Sequence, residues 1–286
     1  MWFWILGWLF TALALLGNAL VIYLVASKPS LRTTTNWFIT SLAVADFCAA
    51  MTYFPCRYLS HWFFEIDLSH AGLWYKVCFT FLYCSTTNLC VLTADRYLAV
   101  VRPLKYASLR DQSPILPIVL AWSVTLVFFT LPAAFSYRGN ESFTQVFETT
   151  RVFVFQVFPC ISFLFVTCRL IYIAQRISRQ SVALAAQLRY NYTIQRAVIS
   201  KNLPRPEKRN IAMIILIITL FNITYAGGNF IYYCLLLKTC VVPPILRKVI
   251  YLLFIINSTA NPIVYAFFKK DIKKELLKLV KRKTDG

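Results

Sequence analysis

The chain has 286 residues, 59% of them hydrophobic, with 30 Lys+Arg against 11 Asp+Glu and a formal net charge of +19. A soluble domain of this size is roughly half apolar, so this composition and a mean hydropathy of +0.62 exclude an ordinary soluble fold. The positive charge is no nucleic-acid footprint: no nucleic-acid motif accompanies it, and it lies between apolar runs, where an anionic leaflet attracts it.

Seven runs carry no charge, or one: residues 2–26, 36–56, 77–94, 113–137, 152–168, 210–237 and 249–268. Each fits or overlaps the roughly 17–25 residues of a spanning helix. Barrel strands would be shorter and alternate with period two. The fold expected is an all-α membrane protein, a single domain over residues 1–286. It is a seven-transmembrane helix bundle with an amphipathic C-terminal helix on the inner leaflet. The helices are expected near 2–26, 36–60, 73–101, 114–136, 149–178, 206–237 and 244–267, with the amphipathic one at 269–280.

In chain order, the first span starts almost at residue 2 and is too long for a signal h-region, so it is expected to act as its own signal anchor. The second carries Asp46 in mid-run, where a lone carboxylate needs a partner or a proton. The third ends in Asp95-Arg96-Tyr97, followed by Arg102-Pro103-Leu104-Lys105-Tyr106. The fourth holds Trp122, and the fifth opens on Arg151 and contains Pro159. The basic segment 169–209 is expected to extend the fifth and sixth helices beyond the membrane. The seventh runs through Asn257, Ser258, Asn261, Pro262 and Tyr265, with Asn257 and Asn261 four apart on one face. After it, Phe268, Ile272, Leu276 and Leu279 recur at helical spacing among lysines, the pattern of a surface helix.

Charge sets the orientation. Of the 30 Lys+Arg, 23 fall on the segments after spans 1, 3, 5 and 7, and seven on the other side. Positive segments stay in the cytoplasm, which places the N-terminus outside and the C-terminus inside. Most of the nine Cys lie within spans, where single cysteines are small apolar packers. Only Cys56, Cys78, Cys234 and Cys240 lie near the outer face.

With these motifs in this order, each in its own span, the chain resembles the rhodopsin-like (class A) G-protein-coupled receptors over essentially its whole length. The signature set is Gly17-Asn18, Leu42–Asp46 with Pro55, Asp95-Arg96-Tyr97, Trp122, Pro159 and Asn261-Pro262 with Tyr265. The resemblance implies a plasma-membrane receptor and no enzyme, with an extracellular ligand, a heterotrimeric G protein and arrestin as partners. It implies an activation switch of Asp95, Arg96, Tyr97, Glu207, Phe221, Tyr225, Asn261, Pro262 and Tyr265, with Glu207 as the acidic partner of Arg96. Arg96, Pro103 and Leu104 would meet the G protein. Asp46, Ser85, Asn257, Ser258 and Asn261 match the family's polar cavity, where sodium binds as an allosteric ion. The alternative is that Asp46 is only a hydrogen-bonded packing node, and Phe81 stands where that cavity has an Asn.

The ligand pocket implied by the resemblance is Cys78, Phe79, Leu82, Tyr83, Arg151, Phe155, Tyr225, Asn229, Tyr232, Tyr251 and Phe254. An amine ligand would call for an acid at Cys78, and a retinal Schiff base for a Lys at Ile255; neither is present. Arg57, Lys76, Arg151, Arg247 and Lys248 ring the outer end. They suit an anionic or carbonyl-rich ligand, or they snorkel to headgroups. The chain departs from the family in other places. Ala71 replaces the Cys that bonds the second outer loop, and residues 138–150 hold no Cys, so that disulfide is expected to be missing. Tyr225 and Gly227 replace a Trp and a Pro, and Thr167 replaces a Tyr. A seven-helix transporter or channel is the alternative, but it would show several buried charges along a path and inverted repeats. An enzyme would need a constellation that His61 and His70, both in an outer loop, do not supply.

Overall fold

The computed structural model describes residues 1–59, 72–109, 113–136, 141–191, 206–237 and 240–284. The first two helices are α1 (Trp2–Ser27) and α2 (Thr34–Leu59), joined through a 3-10 turn at Pro29–Leu31. Next come α3 (Gly72–Val101), a short α4 (Pro103–Leu109) and α5 (Ile115–Ser136). Then α6 (Glu141–Val152) runs through a π-helical turn, Phe153–Val157, into α7 (Phe158–Asn191). Last are α8 (Pro206–Leu237), α9 (Pro244–Phe268) and α10 (Lys270–Thr284). No strand occurs among the described residues. The seven spans correspond to α1, α2, α3, α5, α6–α7, α8 and α9.

Five stretches are long and apolar enough to cross a membrane: Trp2–Ser27, Thr34–Leu59, Gln145–Leu184, Ile211–Ile231 and Pro244–Phe268, with a shorter apolar stretch at Ile115–Phe129. The surface chemistry agrees. On α1 the buried positions Phe3, Gly7, Thr11, Ala14, Asn18 and Val21 recur every three or four residues. The opposite face is just as apolar, with Ile5 64% and Leu16 71% exposed. A helix apolar all round is one whose outer face meets lipid. The same holds for α7, where Ile161 and Phe165 are each 61% exposed.

α2 lies along both α1 and α3, and α9 returns to pack on α1, α2 and α8. Two glycines permit the closest approaches. A Cβ at Gly7 would fall inside the Phe54 ring, and one at Gly17 would sit 2.7 Å from Pro262 Cγ. Hydrogen bonds tie the same helices. Asn18 Nδ2 donates to the Ser258 carbonyl at 3.1 Å, and Thr259 Oγ1 donates to the Phe10 carbonyl at 3.0 Å. Trp122 Nε1 donates to Ser41 Oγ at 3.0 Å, and Ser41 donates to Asn88 Oδ1 at 2.6 Å, linking α5, α2 and α3.

Three local features differ from the expectation drawn from apolar runs. The fifth span begins at Glu141, before the expected start near 149, while its continuation to Asn191 is the extension expected of the basic segment. Its π turn directly precedes Pro159, which lacks the N–H a regular helix would use. The stretch after Arg102 folds as α4, with Pro103 at its first position, where a missing N–H costs nothing. At the outer end, Cys234 of α8 bonds Cys240 across a separation of six residues. Cys56 is buried. Ala71, His61, His70, Arg138 and residues 192–205 lie outside the described residues.

A buried polar cluster, an inner ionic cluster and an outer aromatic pocket

Asp46 is fully buried on α2. Three donors from two other helices converge on its carboxylate. Ser85 Oγ of α3 donates to Oδ1 at 2.7 Å, Ser258 Oγ of α9 to Oδ1 at 2.8 Å, and Asn261 Nδ2 to Oδ2 at 2.7 Å. Three hydrogen bonds at these lengths offset much of the cost of holding this group away from water. Asn257 Oδ1, one helical turn from Asn261, is buried and accepts no hydrogen bond among the described residues. The donor set is therefore a carboxylate, two hydroxyl oxygens and an unengaged amide oxygen. All are hard oxygen ligands, and they fit a cation such as sodium.

The second cluster sits at the inner end of α3. Arg96 folds back on Asp95, with Nε and Nη2 at 2.8 and 2.6 Å from Oδ2. The pair is largely shielded, the side chains being 15% and 7% exposed. Tyr106 Oη of α4 accepts from Arg96 Nη2 at 2.7 Å and donates to Asp95 Oδ1 at 3.0 Å. Thr35 Oγ1 of α2 accepts from Arg96 and donates to Asp95 Oδ2 at 3.2 Å. Both Asp95 oxygens and the Nε and Nη2 of Arg96 thus have partners, as a shielded ion pair requires. Burial pushes the Tyr106 hydroxyl above the ordinary phenol range; Thr35 and Arg96 oppose this and Asp95 reinforces it. Neither Thr35 nor Tyr106 stands out as a partner of this pair in the sequence, since neutral residues beside a span carry no charge signal. Glu207 lies in the first turn of α8, and its side chain lies outside the described residues. Tyr97 is half-buried against the core, and Tyr265 is fully buried, with a hydroxyl that finds no partner among the described residues.

The next residue along α2 extends the network to the amphipathic helix. Asn36 Nδ2 donates to Asp271 Oδ2 at 3.0 Å, and its Oδ1 accepts from Lys269 Nζ. Lys269 also pairs with Asp271 at 3.5 Å. Burial lowers Lys269 to about 8, with Asp271 opposing. Burial pushes Asp271 up, but Lys269, Asn36 and backbone N–H groups outweigh it and hold the carboxyl below its usual range. Ile272 of α10 is buried, and Leu276 and Leu279 pack on the core, so one face of this helix docks on the bundle.

The outer residues form two aromatic groups. In one, Tyr83 of α3 lies 5.4 Å from Phe155, accepts from Gln156 Nε2 at 3.1 Å, and carries the Arg151 guanidinium over its ring at 5.1 Å. With Thr80, Thr125, Phe128 and Phe129, the side chains of Tyr83, Arg151 and Phe155 enclose about 10 Å3, near the lower limit for one water, so a ligand must part the rings. In the other, Phe79, Tyr53, Phe254, Tyr225, Phe221 and Phe163 make successive ring contacts at 4.1–6.1 Å. Tyr225 stacks on Phe221 at 4.1 Å, lies 3.2 Å from Thr86 Oγ1, and donates to the Leu82 carbonyl at 3.4 Å. Arg57 sits 3.6 Å over the Tyr251 ring. Leu82 is buried, and Asn229 Oδ1 is buried with no partner among the described residues. The side chains of Cys78 and Tyr232 lie outside the described residues. Tyr53, in the ring series, and Gln156, on Tyr83, support these groups although sequence reasoning passed over them. Gln156, a lone amide in an uncharged run, was the one legible signal.

Residues 17–265 match the profile of the 7 transmembrane receptor (rhodopsin family). The chain is 27% identical to the octopamine receptor beta-1R of Drosophila melanogaster over 320 aligned positions, covering 97% of this chain and 61% of that receptor. It is 25% identical to the 5-hydroxytryptamine receptor 6 of Mus musculus, over 96% of this chain and 71% of the receptor. It is 26% identical to the trace amine-associated receptor 9 of Homo sapiens, over 90% and 78%. The chain thus spans about three fifths of the length of the first of these relatives. A carboxylate deep in α2, an ion pair ending α3 and a proline inside α9 fall within one continuous match, and the chain belongs to the rhodopsin family of seven-transmembrane receptors.

Proposed function

We propose that this chain converts binding of an extracellular ligand into heterotrimeric G-protein activation on the cytoplasmic face, with its N-terminus outside and its C-terminus inside. The observation that carries the reading is the closed Asp95–Arg96–Thr35–Tyr106 cluster. It holds the one arginine at the inner end of α3 in a single arrangement, and a group held in one of two packings is what a switch needs. Beside it, Leu104 of α4 is 90% exposed and Pro103 is exposed. They form an apolar knob suited to a G-protein surface. Arrestin would meet the same inner face.

The relatives carry amine names, but none of the pocket positions here is acidic, and Cys78 stands where an ammonium would need a carboxylate. Two guanidiniums, Arg151 and Arg57, lie over pocket tyrosines instead. The ligand favoured is one with a carboxylate or several carbonyls, small enough for a ring-lined pocket. The test is nucleotide exchange on a panel of G proteins in membranes bearing this chain, with small carboxylic acids in one arm and biogenic amines in the other. Exchange stimulated by an acid supports the whole reading. Exchange stimulated by amines alone overturns the ligand class, and no ligand-dependent or basal exchange overturns the signalling role. Sodium is the ion proposed at Asp46. There it would draw Ser85, Ser258 and Asn257 together and favour the resting packing.

A further inference from the structure

Two neighbours in the first turn of α2 grip two separate ionic clusters. Thr35 bonds Asp95 and Arg96 of α3, while Asn36 bonds Lys269 and Asp271 at the start of α10. Asn36 is fully buried, and its amide ties three segments together. Its Nδ2 donates to the Leu31 carbonyl at 2.7 Å and to Asp271 Oδ2 at 3.0 Å, and its Oδ1 accepts from Lys269 Nζ. Among the described residues, that amine is the one donor to Oδ1. If α10 lifts away, the oxygen is left buried without a donor, or water must enter the turn to replace it. Thr35 belongs to the same turn, so a docked α10 holds in place the residue that closes the Arg96 cluster.

The dock also contains a proton that can leave. The Lys269 side chain is 11% exposed, and its amine lies 3.5 Å from Asp271. The ionisable groups acting on it are Asp271 of α10 and Arg96 and Asp95 of α3. α2 presents only the neutral Asn36, α9 carries no charge after Lys248, and Lys28 after α1 acts on Glu275, further along α10. Arg96 and Asp95 oppose one another, which leaves Asp271 as the main counter-charge of an amine otherwise enclosed. Undocked, the amine stands in water and keeps its proton up to about pH 10.5; docked, burial outweighs Asp271 and it keeps the proton only up to about 8. The undocked form therefore binds more protons between those values, and docking tightens as pH rises through them. Tyr106, the titratable neighbour on α4, is pushed above the ordinary phenol range and stays protonated there.

We propose that Asn36 and the Lys269 amine form a proton-sensitive dock for α10 that positions the first turn of α2, so that loss of the Lys269 proton holds the Arg96 cluster closed and lowers basal nucleotide exchange. The effect on nucleotide exchange rests on the signalling role proposed above; the titration of the dock does not.

The test is deuterium uptake of the full chain, purified in micelles, read at the amides of residues 272–279 and corrected for the intrinsic pH dependence of amide exchange. In the wild type, protection should rise about 10-fold from pH 7 to pH 9, the ratio set by proton affinities near 8 docked and 10.5 undocked. Lys269→Met has no proton to lose and Lys269→Arg never loses one, so neither should show the rise. Basal nucleotide exchange in membranes should fall over the same range in the wild type relative to both variants. Thr35→Val cuts the link to Arg96, so it should abolish the pH dependence of nucleotide exchange and leave the protection profile intact. Wild-type protection that is flat or falls with pH, or a rise that persists in whichever Lys269 variant folds, overturns the dock. If protection behaves as expected but nucleotide exchange ignores pH, or keeps its pH dependence in Thr35→Val, the dock stands and its control of the Arg96 cluster is overturned. No nucleotide exchange at any pH overturns the signalling role and that control together, while deuterium uptake decides the dock separately.

Discussion

Replacing Tyr106 with Phe tests the inner cluster with the least disturbance. The ring, which lies 5.6 Å from the Arg96 guanidinium carbon, stays in place. What disappears is one oxygen that accepts from Arg96 at 2.7 Å and donates to Asp95 at 3.0 Å. Hydrogen bonds to charged groups contribute roughly 1.5–3 kcal/mol each. Here Arg96 and Asp95 keep their direct bond, and water reaches the half-buried site, so the net loss is about 1–2 kcal/mol. That shifts the balance between closed and open packing by about 5- to 30-fold. Because the closed packing dominates at rest, basal nucleotide exchange should rise by a similar factor in membranes with matched surface expression. Thr35→Val should act in the same direction, and the double variant should fall short of additivity, as expected for groups sharing one network. Basal exchange that is unchanged or reduced in Tyr106→Phe would refute the view that this cluster holds the resting state.

Four further outcomes follow from the geometry. Sodium should lower basal exchange relative to a bulky organic cation in the wild type and have no such effect in Asp46→Asn; equal responses would make Asp46 a packing node. Lys269 is charged in the unfolded chain up to about pH 10.5 but only up to about 8 when docked. The unfolded state therefore binds more protons between those values, and stability should rise as pH climbs from 8 to 10.5, by at most about 3 kcal/mol. Thermal unfolding of the wild type and Lys269→Met in micelles should show the rise in the first alone. Cys240→Ser should lower the thermal midpoint by opening a loop worth roughly 2–3 kcal/mol, and peptide mapping without reductant should recover Cys234 joined to Cys240. Arg151→Gln should raise the concentration of a carboxylate agonist needed by about 10-fold through loss of a charge-assisted bond, while Arg138→Gln leaves it unchanged.

The sequence revealed features that charge or period makes conspicuous. Apolar runs marked the bundle. Asp46 was visible as one carboxylate inside such a run, and Asn257 and Asn261 as neighbours four apart. The apolar positions of α10 repeat at 3.6, and Ile272 does pack on the bundle. Partners that are neutral and locally unremarkable were hidden. Thr35 and Asn36 look like ordinary polar residues at the start of a helix, and only the tertiary fold brings Arg96 and Lys269 to them. The Cys234–Cys240 bond was equally opaque. Nine cysteines allow many pairings, and the 5.3 Å between these two α-carbons depends on how the chain turns after α8.

The polar ties have a pattern that bears on which part moves. Thr35 binds the α3 ion pair and α4, Asn36 binds α10, Ser41 links α3 and α5, and Asp46 binds α3 and α9. All four lie on α2, so α2, though it does not carry the motif that names the switch, is the hub that the other helices grip. Asn18 and Thr259 join α1 to α9 as well. By contrast, the described core residues of α8 are mostly rings and aliphatic side chains, and Tyr225 hydrogen-bonds to α3. Ring stacks and apolar contacts can slide or re-register at little cost, whereas each buried hydrogen bond to a carboxylate must be broken outright. We infer that α8 is a helix able to swing while the rest stays assembled; it lies alongside the α3 helix whose Arg96 the inner cluster restrains. A ligand parting Phe254 from Tyr225 at the outer end would act directly on that helix. The ring series from Phe79 to Phe163 is the physical route by which it would do so.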